Sequence, residues 1–320
     1  MKAIIVREYG APEVMKLEEV STPKVGADQI LVKLKAAGIN PVDTYIRSGV
    51  YAVKPPLPYT PGKDGAGIVE AIGENVTKFK VGERVYTADS VSGTYAEYCL
   101  CNENQAGHLP ENISFEQGAG VFVPYATSYR ALFQKAKAQK GETVLVHGAS
   151  GGVGLAAVQW AKNVGLRVIG TASSEEGKQL IKEQGADFVF DHSVENYLQQ
   201  ILEATENKGV DIILEMLANV NLVKDFDVLA KFGRIVVIGN RGSLDFNPRL
   251  TMGKDATIYG MSLFNFSKEE ESEIHTKIYH GLSEGFLNPI VGKTLPLSKA
   301  VEAHREVIEN KAFGKIILTI

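Results

Sequence analysis

The chain has 320 residues, of which 44% are hydrophobic and 22% are charged, and its formal net charge is −4. This length suits about two domains, each able to bury a core of its own. There is no apolar run long enough to span a bilayer and no secretory signal pattern, so we expect a cytoplasmic protein. The acidic balance argues against nucleic acid or an anionic membrane as the main partner.

The first third of the sequence is rich in predicted strands. Strand character is clear at Met1–Val6, Gln29–Leu34, Gly67–Ile72 and Arg84–Thr87. The intervening segment Lys54-Pro-Pro-Leu-Pro-Tyr-Thr-Pro-Gly62 contains too much proline to be a helix. The opening part of the chain is therefore predicted to be a β-rich domain.

The two cysteines, Cys99 and Cys101, alternate along another predicted strand. Alternate residues of a strand share a face, but two positions so close on one strand lack the geometry of a usual disulfide. No further ligands occur near them at the spacing of a metal site. The sequence predicts ordinary thiols and no bound metal.

Near Asn112 the pattern becomes helical. Ser114 is placed to cap a helix, and Tyr125–Lys137 continues with helical periodicity. From Thr143 onward, predicted strands and helices alternate, which indicates a parallel sheet covered by helices on both faces. After the first strand, the predicted elements are Leu166–Thr171, Ser174–Gln184, Phe188–Phe190, Val194–Ala204, Val210–Glu215, Val220–Ala230, Gly233–Gly239, Thr257–Met261, Glu270–Gly281 and the final strand Gly314–Ile320.

A glycine-rich turn follows the first strand of this alternating region. The strand Thr143–His147 leads into Ala149-x-Gly151-x-x-Gly154, and apolar residues then recur at helical spacing to Val164. In dinucleotide-binding proteins such glycines allow a sharp turn, a close approach to the pyrophosphate and tight packing of the helix on the strand. The same pattern also occurs in ordinary tight turns, but the flanking strand and helix favour a dinucleotide site.

The end of the second strand indicates which dinucleotide is bound. NAD-binding proteins place an acidic residue there to hold the ribose hydroxyls. This strand ends at Ser173 without an acid, whereas Ser173, Ser174 and Lys178 can donate hydrogen bonds to a 2′-phosphate. Glu175 and Glu176 belong to the first turn of the next helix, where the dipole favours acids. We therefore predict NADPH rather than NADH.

Several segments carry a resemblance to a known family. They are Gly38-Ile-Asn-Pro-Val-Asp-Thr-Tyr-Ile-Arg-Ser-Gly49, Leu57-Pro-Tyr-Thr-Pro-Gly62, Val146-His-Gly-Ala-Ser-Gly-Gly-Val-Gly154, Glu215-Met-Leu-Ala-Asn-Val-Asn221 and Ala312-Phe-Gly-Lys-Ile316. With these segments, the chain resembles the medium-chain dehydrogenases/reductases from end to end. Within them it is similar to the zinc-free NADPH:quinone oxidoreductases known as ζ-crystallins.

The resemblance implies an α/β protein of two domains. A GroES-like, β-rich catalytic domain would comprise residues 1–120 and 286–320, and a Rossmann NADPH-binding domain with a doubly wound parallel sheet would comprise 121–285. Nicotinamide and substrate would lie in a cleft between them. The resemblance also implies a homodimer or homotetramer, and we expect subunits to meet at the sheet edge near Thr257–Met261.

Zinc-dependent relatives differ at defined positions. They carry Cys where this chain has Asn40, Gly-His-Glu where it has Gly62-Lys63-Asp64, and a lobe of four cysteines for a second zinc. None of these features is present in the sequence. The resemblance is therefore to the zinc-free branch. We expect Lys63 to fill space or to pair with Asp64.

The resemblance implies cofactor contacts along most of the chain. They are Tyr45, Ser150, Gly151, Gly152, Val153, Ser173, His192, Asn221, Ile238, Gly239, Asn240, Arg241, Met261, Ser262 and Leu263. We add Lys178 for the phosphate and Thr127, on a helix expected to border the cleft. Vertebrate relatives have Gly where this chain has Ser173, and an Arg that some bacterial relatives place near Asn310 is absent here, although Lys311 is close.

The chemistry follows from the missing metal ligands. Residues that cannot hold a Lewis acid are poorly suited to activating an alcohol or a simple ketone, whereas a quinone spreads negative charge over its own ring. Asn40, Tyr45 and Tyr51 could donate hydrogen bonds to it, although such residues also cap turns and fill cores. We expect His147 to be structural and His192 to lie either near the adenine or in a solvated loop.

We therefore predict an NADPH-dependent quinone reductase that transfers hydride or single electrons from the nicotinamide. An alternative is an NADPH-dependent reductase of 2-alkenals or enones, because that reaction also needs only an electron-poor acceptor. An alternative of another class is a crystallin-like protein or a binder of AU-rich RNA. The acidic balance and the lack of an evident aromatic-basic surface weigh against RNA binding.

Overall fold

The structure is a computed structural model that describes residues 1–311 and 313–320. Ala312, which begins one of the segments that carry the family resemblance, lies outside the described residues. The first compact unit comprises Met1–Val123, Tyr279–Asn310 and Gly314–Ile320, and the second comprises Pro124–Ile278 and Lys311–Phe313. The domain limits placed after residues 120 and 285 stay predictions. In the structure, the chain passes from the first compact unit to the second after residue 123 and returns to the first after residue 278.

The described strands and helices are numbered along the chain. The strands are β1 (Lys2–Val6), β2 (Met15–Glu19), β3 (Gln29–Gly38), β4 (Asp64–Ile72), β5 (Arg84–Ala88), β6 (Tyr98–Asn102), β7 (Ala106–His108), β8 (Thr143–Val146), β9 (Arg167–Thr171), β10 (Phe188–Phe190), β11 (Val210–Glu215), β12 (Leu229–Val237), β13 (Thr257–Gly260), β14 (Val291–Pro296) and β15 (Lys315–Thr319). The α-helices are α1 (Pro41–Ser48), α2 (Phe115–Gly118), α3 (Phe122–Tyr129), α4 (Gly152–Asn163), α5 (Glu175–Glu183), α6 (Tyr197–Ala204), α7 (Ala218–Val228), α8 (Arg249–Met252), α9 (Lys268–Glu284) and α10 (Ala300–Glu309).

The first unit is built around a mixed sheet. Its strands follow the order β14-β15-β3-β4-β5-β7, and β6 pairs additionally with β3. The strand β15 runs parallel to β14 and antiparallel to β3. Residues 315–319 therefore belong to the same sheet as β3, which begins at residue 29. Ile30, Val32 and Leu34 of β3 alternate into a buried core that also contains Cys99 and Cys101. Both cysteines are free thiols, with their Sγ atoms 3.9 Å apart.

The second unit contains the parallel sheet that the sequence predicts. In the described part of the chain, the six strands follow the order β10-β9-β8-β11-β12-β13, and every pairing is parallel. The residues Val144–Val146 and Ile212–Leu214 are fully buried, as expected for central strands covered on both faces. The strand order reverses between β8 and β11, and ligands of doubly wound sheets bind beside such a reversal, at the carboxyl ends of the strands.

Helix α1, Pro41–Ser48, forms in a segment for which no element was predicted. Asn40 precedes it in an extended conformation, Pro41 is its first residue, and Asp43 Oδ2 accepts a hydrogen bond from the Asn40 N–H at 2.9 Å. Gly49 ends the helix in the left-handed region, at φ +80°. These are ordinary capping signals, Asn-Pro at the start of the helix and Gly after its end.

Other local predictions need correction. The helix predicted over Tyr125–Lys137 is α3 followed by a π-helical segment, Arg130–Lys135, and the residue Lys137 has a positive φ of 54°. Hydrophobic periodicity does not distinguish a π-helix from an α-helix over so few residues. The helix predicted from Val194 begins at Tyr197, because Val194 and Asn196 lie in a preceding turn. Within the described residues, no helix is long and apolar enough to cross a membrane.

Candidate functional site

The glycine-rich turn joins β8 to α4, as predicted. Gly148 adopts a φ of +56°, and Gly151 is the N-cap of α4. Gly154 packs so closely that a Cβ at this position would lie 2.5 Å from Ala149 Cα. The first backbone N–H groups of a helix have no partner within the helix, and the helix dipole favours an anion beside them. Ser150, Gly152 and Val153 therefore lie at a structurally suitable place for a pyrophosphate.

Other predicted cofactor residues lie after the carboxyl ends of neighbouring strands. Asn221 is on α7, which follows β11; Ile238–Arg241 follows β12; Met261–Leu263 follows β13. Two hydrogen bonds connect the first two of these regions: Asn219 N–H donates to Asn240 Oδ1 at 3.0 Å, and Arg241 N–H donates to Asn219 Oδ1 at 2.9 Å. Asn219 was not predicted, and its role depends on a contact across 22 residues of chain.

A buried polar cluster lies at the strand reversal. His147 directly follows β8, Glu215 ends β11 and Asp225 is on α7. His147 Nε2 lies 2.8 Å from Asp225 Oδ1 and 3.6 Å from Glu215 Oε2. Glu215 Oε1 accepts hydrogen bonds from Leu217 N–H and, at 3.3 Å, from Asn221 Nδ2. Glu215 therefore holds Asn221, which supports the expectation that His147 belongs to a structural arrangement.

Protonation explains how this cluster tolerates burial. Burial raises the pKa of Glu215 and that of Asp225, each to about 7. Burial also lowers the pKa of His147, which keeps the imidazole neutral. Among the described residues, this is the one group of three or more His, Cys, Asp or Glu side chains whose ligand atoms all lie within 4.8 Å of one another. Shared protons and the hydrogen bond between His147 and Asp225 account for that proximity.

The end of β9 carries the residues predicted to select the phosphate. Ser173 is half-buried, and Lys311 Nζ donates to its carbonyl oxygen at 3.0 Å. Ser174 caps α5, where its Oγ accepts from Gly177 N–H at 3.1 Å. Lys178 pairs with Glu175 at 2.6 Å, so Lys311 is the better placed cation beside Ser173. The arrangement suits a 2′-phosphate, because a cation and hydroxyl donors occur where an NAD-binding site would have an acid.

Two further candidates in the second unit have different exposures. His192 is an exposed residue whose Nδ1 lies 3.3 Å from Thr171 Oγ1. Thr127 lies on α3 and is 5% exposed. Their assignments to the cofactor stay predictions.

The three predicted acceptor-binding residues lie on and beside α1. Tyr45 is half-buried on the helix, and Tyr51, also half-buried, follows it. The Tyr51 N–H donates to the Tyr45 carbonyl at 3.2 Å, which fixes the chain just after the helix. Asn40 is only 3% exposed. The structure thus brings the three residues into one local region of the first unit.

Asn40 belongs to a buried charged network that the sequence did not reveal. Its Nδ2 donates to Asp64 Oδ2 at 3.0 Å, and its Oδ1 accepts from Lys315 Nζ. Lys315 Nζ also pairs with Asp64 Oδ2 at 3.0 Å. Asp64 is 0% exposed and Lys315 is 5% exposed. A lysine at the start of a short apolar strand is usually solvated, so only the sheet pairing places this one in the interior.

A second buried chain of polar groups leads away from Asn40. Asp43 Oδ2 lies 3.2 Å from the Tyr95 hydroxyl, which lies 3.1 Å from His304 Nε2. Burial raises the pKa of Asp43 to about 7 and lowers that of His304 to about 3. At neutral pH the imidazole is therefore uncharged, and Asp43 is close to its titration midpoint.

Comparisons with known proteins agree with this fold. A family model described as "Alcohol dehydrogenase GroES-like domain" matches residues 26–131, and one described as "Zinc-binding dehydrogenase" matches residues 152–277. These matches define a medium-chain dehydrogenase/reductase with a GroES-like and a Rossmann-like domain.

Relatives within that class are more specific. The chain is 48% identical to the human protein named "Quinone oxidoreductase", with 100% of this chain and 98% of that protein covered. It is 33% identical to a quinone oxidoreductase of Pseudomonas aeruginosa, with 99% of each covered. The solved Escherichia coli quinone oxidoreductase in complex with NADPH has a TM-score of 0.92 at 31% identity, over 100% of both chains. The protein belongs to the quinone oxidoreductase family.

The name of the second family model raises the question of zinc. Where zinc-dependent relatives carry ligands, this chain has Asn40, Lys63 and Asp64, and the Lys315 ammonium contacts both Asn40 and Asp64. We expected Lys63 to fill space or to pair with Asp64, and the structure shows it paired with Asp89. The reason is that Asp64 points inward from the start of β4 to Lys315. A lysine ammonium and a carboxamide do not form a zinc-binding set, so these residues do not fit the metal.

Proposed function

We propose that the protein reduces quinones with NADPH by a reaction that uses no metal. The proposal is carried by similarity to quinone oxidoreductases over the full length of the chain. The residues after β9 agree with it, because no acid is present there and Lys311 lies beside Ser173. NADPH is the cofactor, as a related solved structure contains it and the strand–turn–helix at β8 and α4 suits a dinucleotide.

The proposed reaction adds one hydride and one proton to the quinone, which gives the hydroquinone. The nicotinamide supplies a hydride, whose C–H bond breaks as two electrons pass to the quinone, and a proton completes the hydroquinone. The protein must bind both molecules, orient them and stabilise the negative charge that develops on the acceptor oxygen. Transfer as single electrons would place the same demands on the binding site.

Within the first unit, we assign acceptor binding to Asn40, Tyr45 and Tyr51. A carboxamide N–H and phenol hydroxyls are donors suited to a quinone oxygen. The half-buried tyrosines offer ring surface as well as a hydroxyl, whereas the buried Asn40 offers a fixed amide. In the second unit, the cofactor would contact the turn before α4 and the loops after β9, β11, β12 and β13.

The first experiment is a steady-state assay of NADPH oxidation with 1,2-naphthoquinone and, in parallel, with a 2-alkenal. Protein treated with a chelator is compared with untreated protein, and NADH replaces NADPH in a second series. We expect fast quinone turnover that prefers NADPH and is unaffected by the chelator. If only the alkenal reacts and the product is a saturated carbonyl, the enone reductase is correct instead. Loss of quinone turnover on chelation would refute metal independence.

Variants then test the assigned donors. Tyr45→Phe and Tyr51→Phe each remove one hydroxyl and keep the ring, and we expect about a tenfold loss of kcat/KM for quinone. Tyr279→Phe is the matched control, because that tyrosine is exposed and packs its ring against His108. Unchanged quinone kinetics in both site variants would remove these tyrosines from the acceptor site.

We further propose a homodimer or homotetramer in the cytoplasm. β13 is an edge strand of the parallel sheet, and its residues Thr257–Gly260 are at least partly exposed, so it could pair with a second copy. Light scattering tests the assembly, and a monomer at micromolar concentration would contradict it. A salt-dependent titration with AU-rich RNA tests the alternative class, for which we expect no binding.

A further inference from the structure

Lys315 is built into the first unit in an unusual way. Its side chain lies against two glycines: a Cβ at Gly38 would come within 2.9 Å of Lys315 Cε, and one at Gly120 within 3.4 Å of Lys315 Cγ. The absence of side chains at Gly38 and Gly120 thus provides the space through which the lysine reaches the interior. The aliphatic part packs against backbone, and the ammonium lies between Asn40 and Asp64.

Both oxygens of the Asp64 carboxylate accept hydrogen bonds. Oδ2 accepts from Asn40 Nδ2 and from Lys315 Nζ, each at 3.0 Å, and Oδ1 accepts from Val123 N–H at 2.9 Å. A buried ion pair is weak evidence for stability, because well-packed apolar residues often stabilise a core as much. An ion pair held this completely beside a proposed acceptor-binding residue therefore calls for a functional explanation.

The network determines what the Asn40 side chain can do. A carboxamide has one acceptor oxygen and two N–H donors. Lys315 occupies the oxygen, which prevents the amide from flipping, and Asp64 takes one of the N–H groups. One N–H then remains for a ligand. A cation on the amide oxygen also polarises the group and strengthens its donor end, since hydrogen bonds in a buried chain reinforce one another.

We propose that Lys315 is a positioning residue for the reduction of the acceptor. Its ammonium, whose charge is balanced by Asp64, fixes Asn40 and polarises the amide, so that the amide N–H favours negative charge on an acceptor oxygen. This inference rests on the proposed function. It predicts that Lys315 matters most for acceptors that delocalise the developing charge poorly.

The test compares Lys315→Met with the wild-type enzyme over a series of para-quinones of decreasing reduction potential. We expect kcat to fall about 10- to 100-fold, less than the loss of about 100- to 1000-fold on removing a direct oxyanion donor, because Lys315 acts through Asn40. The loss should be larger for the poorer acceptors, so the dependence of log kcat on reduction potential becomes steeper. The Kd for NADPH, measured by fluorescence titration, should stay within about twofold, since the contacts of Lys315 are to Asn40 and Asp64.

Two further variants separate an effect of Lys315 on positioning from an effect on folding. Lys293→Met removes a lysine of the neighbouring strand β14 that is 47% exposed and pairs with Glu306 of α10, and it should leave kcat unchanged. If Lys315→Met does not fold, Lys315→Met/Asp64→Asn is measured instead, because it leaves no unpaired buried charge. Failure of both to fold would assign Lys315 to stability alone and overturn the inference.

The remaining outcomes are distinguishable. An unchanged slope in a folded Lys315 variant, with normal wild-type quinone turnover, overturns the inference and leaves the proposed function intact. A wild-type enzyme that turns over neither quinones nor alkenals overturns the proposed function and this inference together. A steeper slope with unchanged NADPH affinity supports the positioning role, since a merely structural defect would lower kcat equally for every acceptor.

Discussion

Replacing Glu215 by glutamine should change how the stability of the protein depends on pH. The carboxylate is 0% exposed, and burial raises its pKa from an ordinary 4.5 to about 7. Glutamine has nearly the same shape and keeps an oxygen that can accept from Leu217 N–H and Asn221 Nδ2. The variant therefore removes the titration while preserving the hydrogen bonds of that oxygen.

The size of the effect follows from the two pKa values. The folded state binds the Glu215 proton more tightly than the unfolded chain does, so protonation stabilises the folded state. That contribution is complete below pH 4.5 and is lost as the pH rises through about 7. At 1.36 kcal/mol per pH unit, the full contribution is about 3 kcal/mol, of which about 2.5 kcal/mol lies between pH 5 and pH 8.

Urea unfolding at pH 5, 6, 7 and 8 measures this contribution. Relative to wild type, Glu215→Gln should gain about 2.5 kcal/mol of unfolding free energy as the pH rises from 5 to 8. Glu74→Gln, at an exposed position, is the control and should follow the wild-type curve. A difference between Glu215→Gln and wild type that stays constant over this range would refute the assigned proton.

Three further substitutions test other parts of the structure. Gly154→Val places a side chain 2.5 Å from Ala149 Cα, so the NADPH Kd should rise at least about tenfold by fluorescence titration; unaltered binding would contradict the assigned turn. Ser173→Asp should lower the NADPH to NADH ratio of kcat/KM about tenfold or more, because the acid repels the 2′-phosphate, and an unchanged ratio would place that phosphate elsewhere. Arg130→Met removes a buried guanidinium that donates to Asn265 O at 2.9 Å, and should cost about 2 kcal/mol in urea unfolding. The exposed Arg7→Met should cause no measurable change, and equal stability of the two variants would show that the buried contact is not important.

The alternating region could be predicted well because its signals are local. Phe188–Phe190 and Val210–Glu215 have the predicted limits, and Ser114 and Ser174 cap the helices that follow them. Buried parallel strands are short apolar runs, and capping residues act within one turn of their own position. Such features require no knowledge of distant parts of the chain.

The charged network could not be predicted in the same way. Asn40 and Lys315 are separated by 275 residues, and β15 lies beside β3 only through long-range pairing. Nothing in the sequence around Lys315 distinguishes a buried lysine from a solvated one. Glu215 is a partial exception, since an acid that directly ends the apolar run Ile212–Leu214 indicates a buried or functional carboxylate.

The pairing of β15 with β3 also has a consequence for synthesis on the ribosome. A nascent chain exposes Asn40 and Asp64 long before residue 315 is made, so their cationic partner is missing while about 250 further residues are added. Native contacts in the second unit, residues 124–278 in the main, close over much shorter stretches. We therefore expect the second unit to fold first, although it begins later in the chain, and the acceptor-binding region to be completed only once residue 315 has left the ribosome.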